Sequence, residues 1–241
     1  MNPQKKVPSP TIARLLSYYR ALLESRETAY ISSEELAKLT GCMAAQIRKD
    51  LTYFGEFGTP GKGYKVEELS QCLRSILGID HDWEVALIGI GNVGRALLAY
   101  QGLKTQGFKV SQLFDSDPKK IGLSCAGLRI KDISTMKEEL SNSPVKMAII
   151  TVPDNSAQEV ANLLVEVGIK AILNFAPTRI ATPDDINVLN IDITNELTRL
   201  SYYLTQSALF GVSRLSHQPL SAVPTAQAGI GTQTGTAQTG M

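Results

Sequence analysis

A glycine-rich segment with the spacing of a phosphate-binding loop lies in the middle of the chain. It consists of Gly89, Ile90, Gly91, Asn92, Val93 and Gly94. In such a loop the first glycine allows a tight turn, the second lets the backbone approach a pyrophosphate, and the third lets a helix pack on a strand. Residues 83–88, which are mostly apolar, predict a buried strand before the loop, and residues 95–100 predict the helix after it. The pattern therefore predicts a dinucleotide-binding site.

A carboxylate follows the second predicted strand, residues 110–114, where Asp115 stands. A carboxylate at this place accepts hydrogen bonds from both hydroxyls of an adenosine ribose; the alternative is that Asp115 caps the turn before Pro118, and the complete strand-turn-helix-strand unit favours the ribose. Ser116 and Asp117 come next, and neither supplies the cation that a 2′-phosphate needs. The sequence therefore favours NAD(H) over NADP(H).

Two further predicted strands, residues 147–152 and 171–174, end at the same edge of the sheet. Ligands of doubly wound folds lie at the carboxyl ends of the strands, so the residues there are candidates to contact the second half of the dinucleotide. These candidates are Thr151, Val152, Pro153, Asn174, Phe175, Ala176 and Pro177. A purely structural role in loops is the alternative, above all for the two prolines.

Catalytic residues are scarce in this sequence. Hydride transfer needs a proton donor or acceptor beside the substrate carbonyl, and no histidine falls between His81 and His217. Tyr100 and Lys170 are conceivable acids that no motif places. The three cysteines have no C-x-x-C spacing, so we expect no zinc site and no other metal site. We predict that the dinucleotide is a signal and that the protein is not an enzyme, with an NAD-dependent oxidoreductase or a CoA-binding module as alternatives.

The N-terminal part of the chain has a helical pattern instead. A first helix is predicted to start near Ser9, and Ser32 with Glu35 forms a capping box at the start of a second helix. Gly41 ends that helix, and a third is predicted over residues 43–54. Helix, glycine turn and helix make a helix-turn-helix, and the Gly- and Pro-rich residues 55–66 have the composition of a wing.

A winged helix binds double-stranded DNA through its second helix in the major groove and through its wing. The outward-facing residues of the third predicted helix, its flanks and the wing are the candidate contacts: Ala45, Lys49, Thr52, Arg48, Tyr53, Lys62 and Tyr64. An ordinary solvated face or a protein-interaction module is the alternative. Residues 1–75 hold 11 Lys and Arg against 8 Asp and Glu, a net charge of +3. Because this is modest, we expect two such domains to pair on two half-sites.

These patterns predict an α/β protein with four segments. Residues 1–78 form a winged helix-turn-helix domain, and residues 79–194 form a Rossmann-type domain with a doubly wound parallel sheet. Residues 195–210 form a C-terminal helix, and residues 211–241 are disordered because Arg214 is their only charged residue and their large apolar side chains are too few to offset the entropy of ordering. No run approaches the roughly 20 apolar residues of a membrane helix, and no secretory signal is visible, so we expect a cytoplasmic protein.

The residues quoted above resemble those of the Rex family of redox-sensing transcriptional repressors, over residues 7–204. The most specific stretches are residues 46–55, 58–64, 89–94, 114–118, 174–177 and 197–201. The resemblance implies a homodimer in which the C-terminal helix is domain-swapped and packs near the N-terminal domain of the partner. It also implies a near-palindromic operator with an AT-rich centre, and release of that operator when NADH rather than NAD+ is bound.

The resemblance further implies roles for individual residues. Gln46 joins the DNA-contacting set. Arg20, Tyr100 and Asp192 form a switch, in which an Arg–Asp contact supports the DNA-competent form and the tyrosine changes place when reduced nicotinamide enters, so that Tyr100 and Asp192 also join the NADH site. Ile193 stands where the family often has an aromatic residue, which leaves open how sharply this chain distinguishes NADH from NAD+.

Overall fold

The computed structural model describes residues 7–210. The predicted disorder of residues 211–241 lies outside this range. The chain forms two compact units, the first ending at Ser70 and the second beginning at Gln71. The helix Val66–Ile76 contains this division, whereas the sequence placed it after residue 78. The predicted domain limits stay a prediction.

The first unit is helical with a small antiparallel hairpin. It contains α1 (Ser9–Glu24), β1 (Tyr30–Ile31), α2 (Ser33–Thr40), α3 (Ala44–Leu51), β2 (Tyr64–Lys65) and the start of α4 (Val66–Ile76). Strands β1 and β2 pair antiparallel, with Ile31 opposite Tyr64. The buried side chains that hold the helices together include Leu15, Tyr18, Leu22, Leu36, Ile47 and Leu51.

The ends of α2 follow the predicted signals. The Ser32 hydroxyl accepts a hydrogen bond from the Glu35 N–H at 3.1 Å, and the Ser32 N–H donates to the Glu35 carboxylate at 2.8 Å, which confirms the capping box. Gly41 ends the helix with a left-handed φ of 68°. Helix α3 ends earlier than predicted, at Leu51, because the Phe54 N–H bonds the Leu51 carbonyl three residues back and tightens the chain into a turn.

The second unit is built on a seven-stranded sheet. Its strands are β3 (Trp83–Ile88), β4 (Phe108–Asp115), β5 (Ser124–Cys125), β6 (Leu128–Asp132), β7 (Met147–Ile150), β8 (Ala171–Asn174) and β9 (Asn187–Asn190). The spatial order is β5-β6-β4-β3-β7-β8-β9, and all neighbours are parallel except β5 and β6. Without the short β5 this is the doubly wound order, with its switch point between β3 and β7. The predicted Rossmann-type fold is confirmed.

Helices cover both faces of this sheet. They are α5 (Asn92–Ala99), α6 (Gln101–Thr105), α7 (Met136–Ser141) and α8 (Asp154–Glu166), and α9 (Ile193–Phe210) follows the last strand. Ala86 and Ile88 belong to the core on one face, and Val85 and Leu87 belong to the core on the other. Burial on both faces explains why β3 is apolar without interruption from Val85 to Ile88. Within residues 7–210, no helix is both long enough and apolar enough to span a lipid bilayer.

Candidate dinucleotide and DNA sites

The glycine loop joins β3 to α5, and its three glycines have different surroundings. Gly89 has a φ of +92°, and a Cβ there would lie 2.8 Å from the Thr151 carbonyl oxygen. A Cβ on Gly94 would lie 2.2 Å from the Gly89 carbonyl oxygen. A Cβ on Gly91 would have no atom of the described chain within 4 Å. The fold therefore requires Gly89 and Gly94, whereas Gly91 leaves room beside the start of α5, where free N–H groups favour a phosphate.

Thr151, at the end of β7, supports this loop. Its hydroxyl lies 2.6 Å from the Gly89 carbonyl oxygen and 3.1 Å from the Ile88 carbonyl oxygen, and its N–H donates to the Ile88 carbonyl at 2.9 Å. The hydroxyl proton thus holds the loop against the neighbouring strand.

Asp115 ends β4 beside the glycine loop and is only 6% exposed. One carboxylate oxygen, Oδ2, accepts hydrogen bonds from the Ile90 N–H at 2.7 Å and the Lys120 ammonium at 3.0 Å, and Oδ1 accepts from the Asp117 N–H at 2.9 Å. Burial raises the pKa of Asp115, but these hydrogen bonds outweigh it and lower the pKa below its ordinary value. The carboxylate is therefore ionised at neutral pH.

A cavity of about 640 Å³ opens at the carboxyl ends of β3, β4, β7 and β8. Its volume suits a ligand of dinucleotide class. The predicted residues that line it are Gly89, Gly91, Val93, Asp115, Thr151, Val152, Pro153, Phe175 and Pro177. The lining also includes Ile88, Ser116 and Asp117, together with six residues that the sequence did not single out: Lys120, Ile133, Ser156, Glu159, Val160 and Leu163. The apolar residues among these six come from α8 and from the turn after β6. These two segments are far apart in the sequence, and only the tertiary fold brings them to the same wall of the cavity.

Other candidate residues lie behind this lining. Asn174 is fully buried, and its amide donates to the Thr178 carbonyl at 2.7 Å and to the Asn190 side chain at 2.8 Å. Its carbonyl oxygen accepts from the Ala176 N–H at 3.0 Å. Asn174 thus shapes the loop that carries Phe175. The side chain of Ile90 is buried in the core.

The three residues of the expected switch are distributed over both units. Arg20 is exposed on α1 of the first unit, and Tyr100 is exposed between α5 and α6 of the second. Asp192 precedes α9, where its carboxylate accepts from the Asn195 N–H at 3.1 Å and from the Asn195 side-chain amide at 2.6 Å. Asp192 therefore caps α9 here, and its contact with Arg20 stays a prediction.

The candidate DNA-binding surface of the first unit is the outward face of α3 and the wing. Ala45, Lys49 and Thr52 are exposed, whereas Ile47 and Leu51 face the core. The exposed Arg48 guanidinium donates to the Ser33 hydroxyl at 2.6 Å and to the Glu34 carboxylate at 3.0 Å, which ties it to the start of α2.

The wing is a short hairpin closed by a bridge between Thr59 and Gly63. Lys62 is exposed on it, with its ammonium 5.9 Å from the Tyr30 ring centroid. Tyr64 is 7% exposed, so the structure gives it a packing role at the base of the wing instead of the predicted outward position. Burial also raises the pKa of its phenol.

A buried polar cluster joins α3 to α1, and the sequence analysis did not detect it. The Asp50 carboxylate accepts two hydrogen bonds from the Arg14 guanidinium, at 2.6 and 2.8 Å, and one from the Tyr18 hydroxyl at 2.9 Å. Gln46 donates to the same carboxylate at 2.8 Å, so its amide group is engaged within the protein. Burial raises the pKa of Asp50, but the hydrogen bonds from Arg14, Gln46 and Tyr18 prevail and lower it.

Both units match protein families. Residues 6–52 match the family model described as a putative DNA-binding protein N-terminus, and residues 80–178 match the model described as a CoA binding domain. The chain is 46% identical over 201 residues to a redox-sensing transcriptional repressor Rex of Chloroflexus aurantiacus, with 83% of this chain and 95% of the relative covered. It is 43% identical over 205 residues to Rex 1 of Thermotoga maritima, covering 84% and 98%.

Solved structures agree with these relatives. A Rex-family repressor, RSP, is 36% identical and superposes with a TM-score of 0.79 over 86% of this chain and 98% of that chain. The structure of RSP with NAD+ and operator DNA is 37% identical, with a TM-score of 0.81 over 86% and 97%. The structure of RSP with NADH is 35% identical, with a TM-score of 0.76 over 86% and 99%.

Proposed function

The chain belongs to the Rex family of redox-sensing transcriptional repressors, and we propose that it binds its operator as a homodimer and releases it when NADH occupies the cavity of the second unit. It is a DNA-binding regulator and not an enzyme. One observation carries this proposal: the same chain has both a cavity lined by the glycine loop and an exposed basic helix, α3, beside the wing. A repressor acts on the chromosome, so we propose that the protein works in the cytoplasm.

In the second unit, NADH and NAD+ are the sensed ligands. The pyrophosphate would lie beside Gly91, where the chain leaves open space at the start of α5. The adenosine ribose would lie at Asp115, the carboxylate at the end of β4. The nicotinamide half would then point to the ends of β7 and β8, where Thr151, Pro153 and Phe175 are candidates to contact it.

In the first unit, α3 would enter the major groove. Lys49 and Thr52 face outward, and the wing presents Lys62 to the neighbouring backbone. Arg48 is already oriented by Ser33 and Glu34, so we assign it to the edge of the interface instead of its centre. Gln46 would need to release Asp50 before it could reach a base.

The C-terminal helix supports the homodimer. Ile193, Leu197, Leu200 and Leu204 are spaced to lie on one side of α9, and each is between 57% and 73% exposed. An apolar stripe of this kind normally faces a partner. We propose that the partner subunit covers it through the swapped packing that the family resemblance implies.

The two ligands are then linked. If NADH weakens DNA binding by some factor, DNA must weaken NADH binding by the same factor. We propose that Arg20, Tyr100 and Asp192 carry this linkage, with an Arg20–Asp192 contact in the DNA-competent form. In that form Asp192 would exchange its present hydrogen bonds with Asn195 for the guanidinium.

Coenzyme A is a second candidate for the cavity, because residues 80–178 match a model described as a CoA binding domain. Its ribose 3′-phosphate would face the ionised Asp115, which disfavours it. A competition experiment distinguishes NADH from coenzyme A as the ligand of the cavity. Coenzyme A should fail to displace bound NADH at concentrations where AMP displaces it.

Fluorescence anisotropy of a short palindromic duplex with an AT-rich centre tests the whole proposal. NADH should release the duplex at concentrations where NAD+ has little effect, with the salt concentration fixed because DNA affinity depends strongly on it. DNA binding that ignores both nucleotides would overturn the sensor function, and NADH consumption with a carbonyl substrate would favour an oxidoreductase.

A further inference from the structure

We infer that Lys120 is a second ribose-reading residue, which shares the adenosine diol of the bound dinucleotide with Asp115. The inference rests on the proposed NADH-binding function and adds a determinant of specificity to it. Lys120 lies in the turn between β4 and β5 and lines the same cavity as Asp115. The sequence analysis placed no cation at this end of the cavity.

Asp115 has little hydrogen-bonding capacity left for a ligand. A carboxylate has about four acceptor positions. Three are used within the chain, by the N–H groups of Ile90 and Asp117 and by the Lys120 ammonium. About one position is left, so Asp115 cannot receive both ribose hydroxyls while this arrangement persists. The Ile90 and Asp117 N–H groups are held in place by the glycine loop and the turn, so they cannot give up their bonds to Asp115. Lys120 is therefore the group that can bind the second hydroxyl.

Lys120, by contrast, has hydrogen-bond donors that a ligand can reach. An ammonium has three N–H donors, and one of them points to Asp115 Oδ2 at 3.0 Å. Asp117 Oδ2 lies 3.9 Å from the ammonium, beyond hydrogen-bonding distance. The side chain is 28% exposed at the cavity, so its remaining donors are accessible to a ligand. A ribose diol offers one hydroxyl to donate to Asp115 and another to accept from Lys120, and the pair of side chains matches that pattern.

The local charge also disfavours NADPH at this site, despite the cation. Lys120 contributes one positive charge, while Asp115 and Asp117 contribute two negative charges within 3.9 Å of it. A 2′-phosphate adds about two more negative charges, so it meets a net negative cluster despite the ammonium. Removing the charge of Asp117 should therefore relax the discrimination against NADPH while Lys120 is present.

The test measures NADH affinity by fluorescence, with AMP, 2′-deoxy-AMP and 3′-deoxy-AMP as competitors, for the full chain and for Lys120→Met. The substitution should weaken NADH and AMP by roughly tenfold, the effect of losing one hydrogen bond to a charged group. For one of the two deoxy analogues the loss should disappear, because the missing hydroxyl is the partner of Lys120. Lys119→Met, an exposed neighbour, is the matched control and should bind like the parent.

Two further variants separate ribose reading from folding. Lys120→Gln keeps a donor and should recover part of the affinity, and Asp117→Asn should raise NADPH affinity roughly threefold or more relative to NADH. An equal loss for AMP and both deoxy analogues, an unchanged affinity, or tighter NADH binding by Lys120→Met would each overturn the inference. If the parent chain fails to bind NADH, the proposed function fails first.

Discussion

The guanidinium of Arg14 on α1 and the carboxylate of Asp50 on α3 form a buried ion pair, with 2.6 Å between Arg14 Nε and Asp50 Oδ2. Asp50 is fully buried, while the Arg14 side chain is 29% exposed at the rim. The candidate DNA-reading helix is therefore fixed to the first helix by its one acidic side chain. This places the negative charge away from the surface that would meet phosphates.

Asp50→Asn should lower the free energy of unfolding by about 2 to 3 kcal/mol. The amide cannot accept both guanidinium bonds and the Tyr18 hydroxyl, and it leaves the Arg14 charge without its partner; the partial exposure of Arg14 keeps the loss below that of a fully buried pair. Urea unfolding measures the change. Glu27→Gln, at an exposed site after α1, is the control and should change stability by less than about 0.5 kcal/mol.

Stability should also depend on pH through Asp50. Its pKa is lowered in the folded protein, so the unfolded chain binds more protons in acid, and the stabilisation is present above the unfolded pKa. It is lost as the pH falls below about 4 and through the lower folded pKa. Asp115 contributes in the same direction. Unfolding titrations between neutral and acidic pH should therefore show a shallower acid dependence for Asp50→Asn, and an identical slope would contradict the assigned role.

The sequence predicted the elements whose signals are local. The glycine loop, the flanking strands and the Ser32–Glu35 capping box each depend on residues within a few positions, and the structure has them where they were expected. Strands β5 and β6 were not predicted, because they are short and β6 alternates apolar with charged residues. Helix α3 was predicted too long, since the turn that ends it carries no proline and its glycine comes at position 55.

Contacts between distant residues could not be predicted in the same way. The Arg14–Asp50 pair joins positions 36 apart, and only the packing of α1 against α3 brings them together. Lys120 was missed because its ammonium reaches Asp115 through the geometry of a turn that no motif specifies. The outward position expected for Tyr64 failed because β2 pairs with β1 and turns the ring inward.

The glycines of the loop should separate binding from folding. Gly91→Ala should preserve the fold, because its Cβ meets open space, yet weaken NADH binding tenfold or more by occupying the place of the pyrophosphate. Gly94→Ala should instead destabilise the second unit, because its Cβ would lie 2.2 Å from the Gly89 carbonyl oxygen. Thermal unfolding and NADH fluorescence, measured on both variants, check the contrast. Full NADH affinity in folded Gly91→Ala would place the phosphates elsewhere.

Glu34 should restrain DNA binding through Arg48. Its carboxylate lies 3.0 Å from the Arg48 guanidinium. The hydrogen bond from its own backbone N–H lowers the pKa of Glu34, and hydrogen bonds from the Arg48 guanidinium and the Ser33 hydroxyl lower it further. Glu34→Gln removes a negative charge beside the interface and frees Arg48 for a phosphate, so operator affinity should rise roughly threefold at low salt, with a smaller gain at high salt. Glu27→Gln again serves as the control in the anisotropy titration. A fall in affinity would mean that Glu34 orients Arg48 productively.

Lys49 provides the sharpest test of the recognition surface. It is exposed on α3 between the outward residues Ala45 and Thr52, and no acidic side chain on this helix shares its face because Asp50 is buried. Lys49→Ala should weaken operator binding tenfold or more and, for a dimer that loses two phosphate contacts, lower the slope of log affinity against log salt by about 2. Lys38→Ala, on the exposed side of α2, controls for a general loss of positive charge. NADH affinity should stay unchanged in both variants, since the cavity lies within the second unit. Unchanged DNA affinity in Lys49→Ala would show that another surface of the first unit meets the operator.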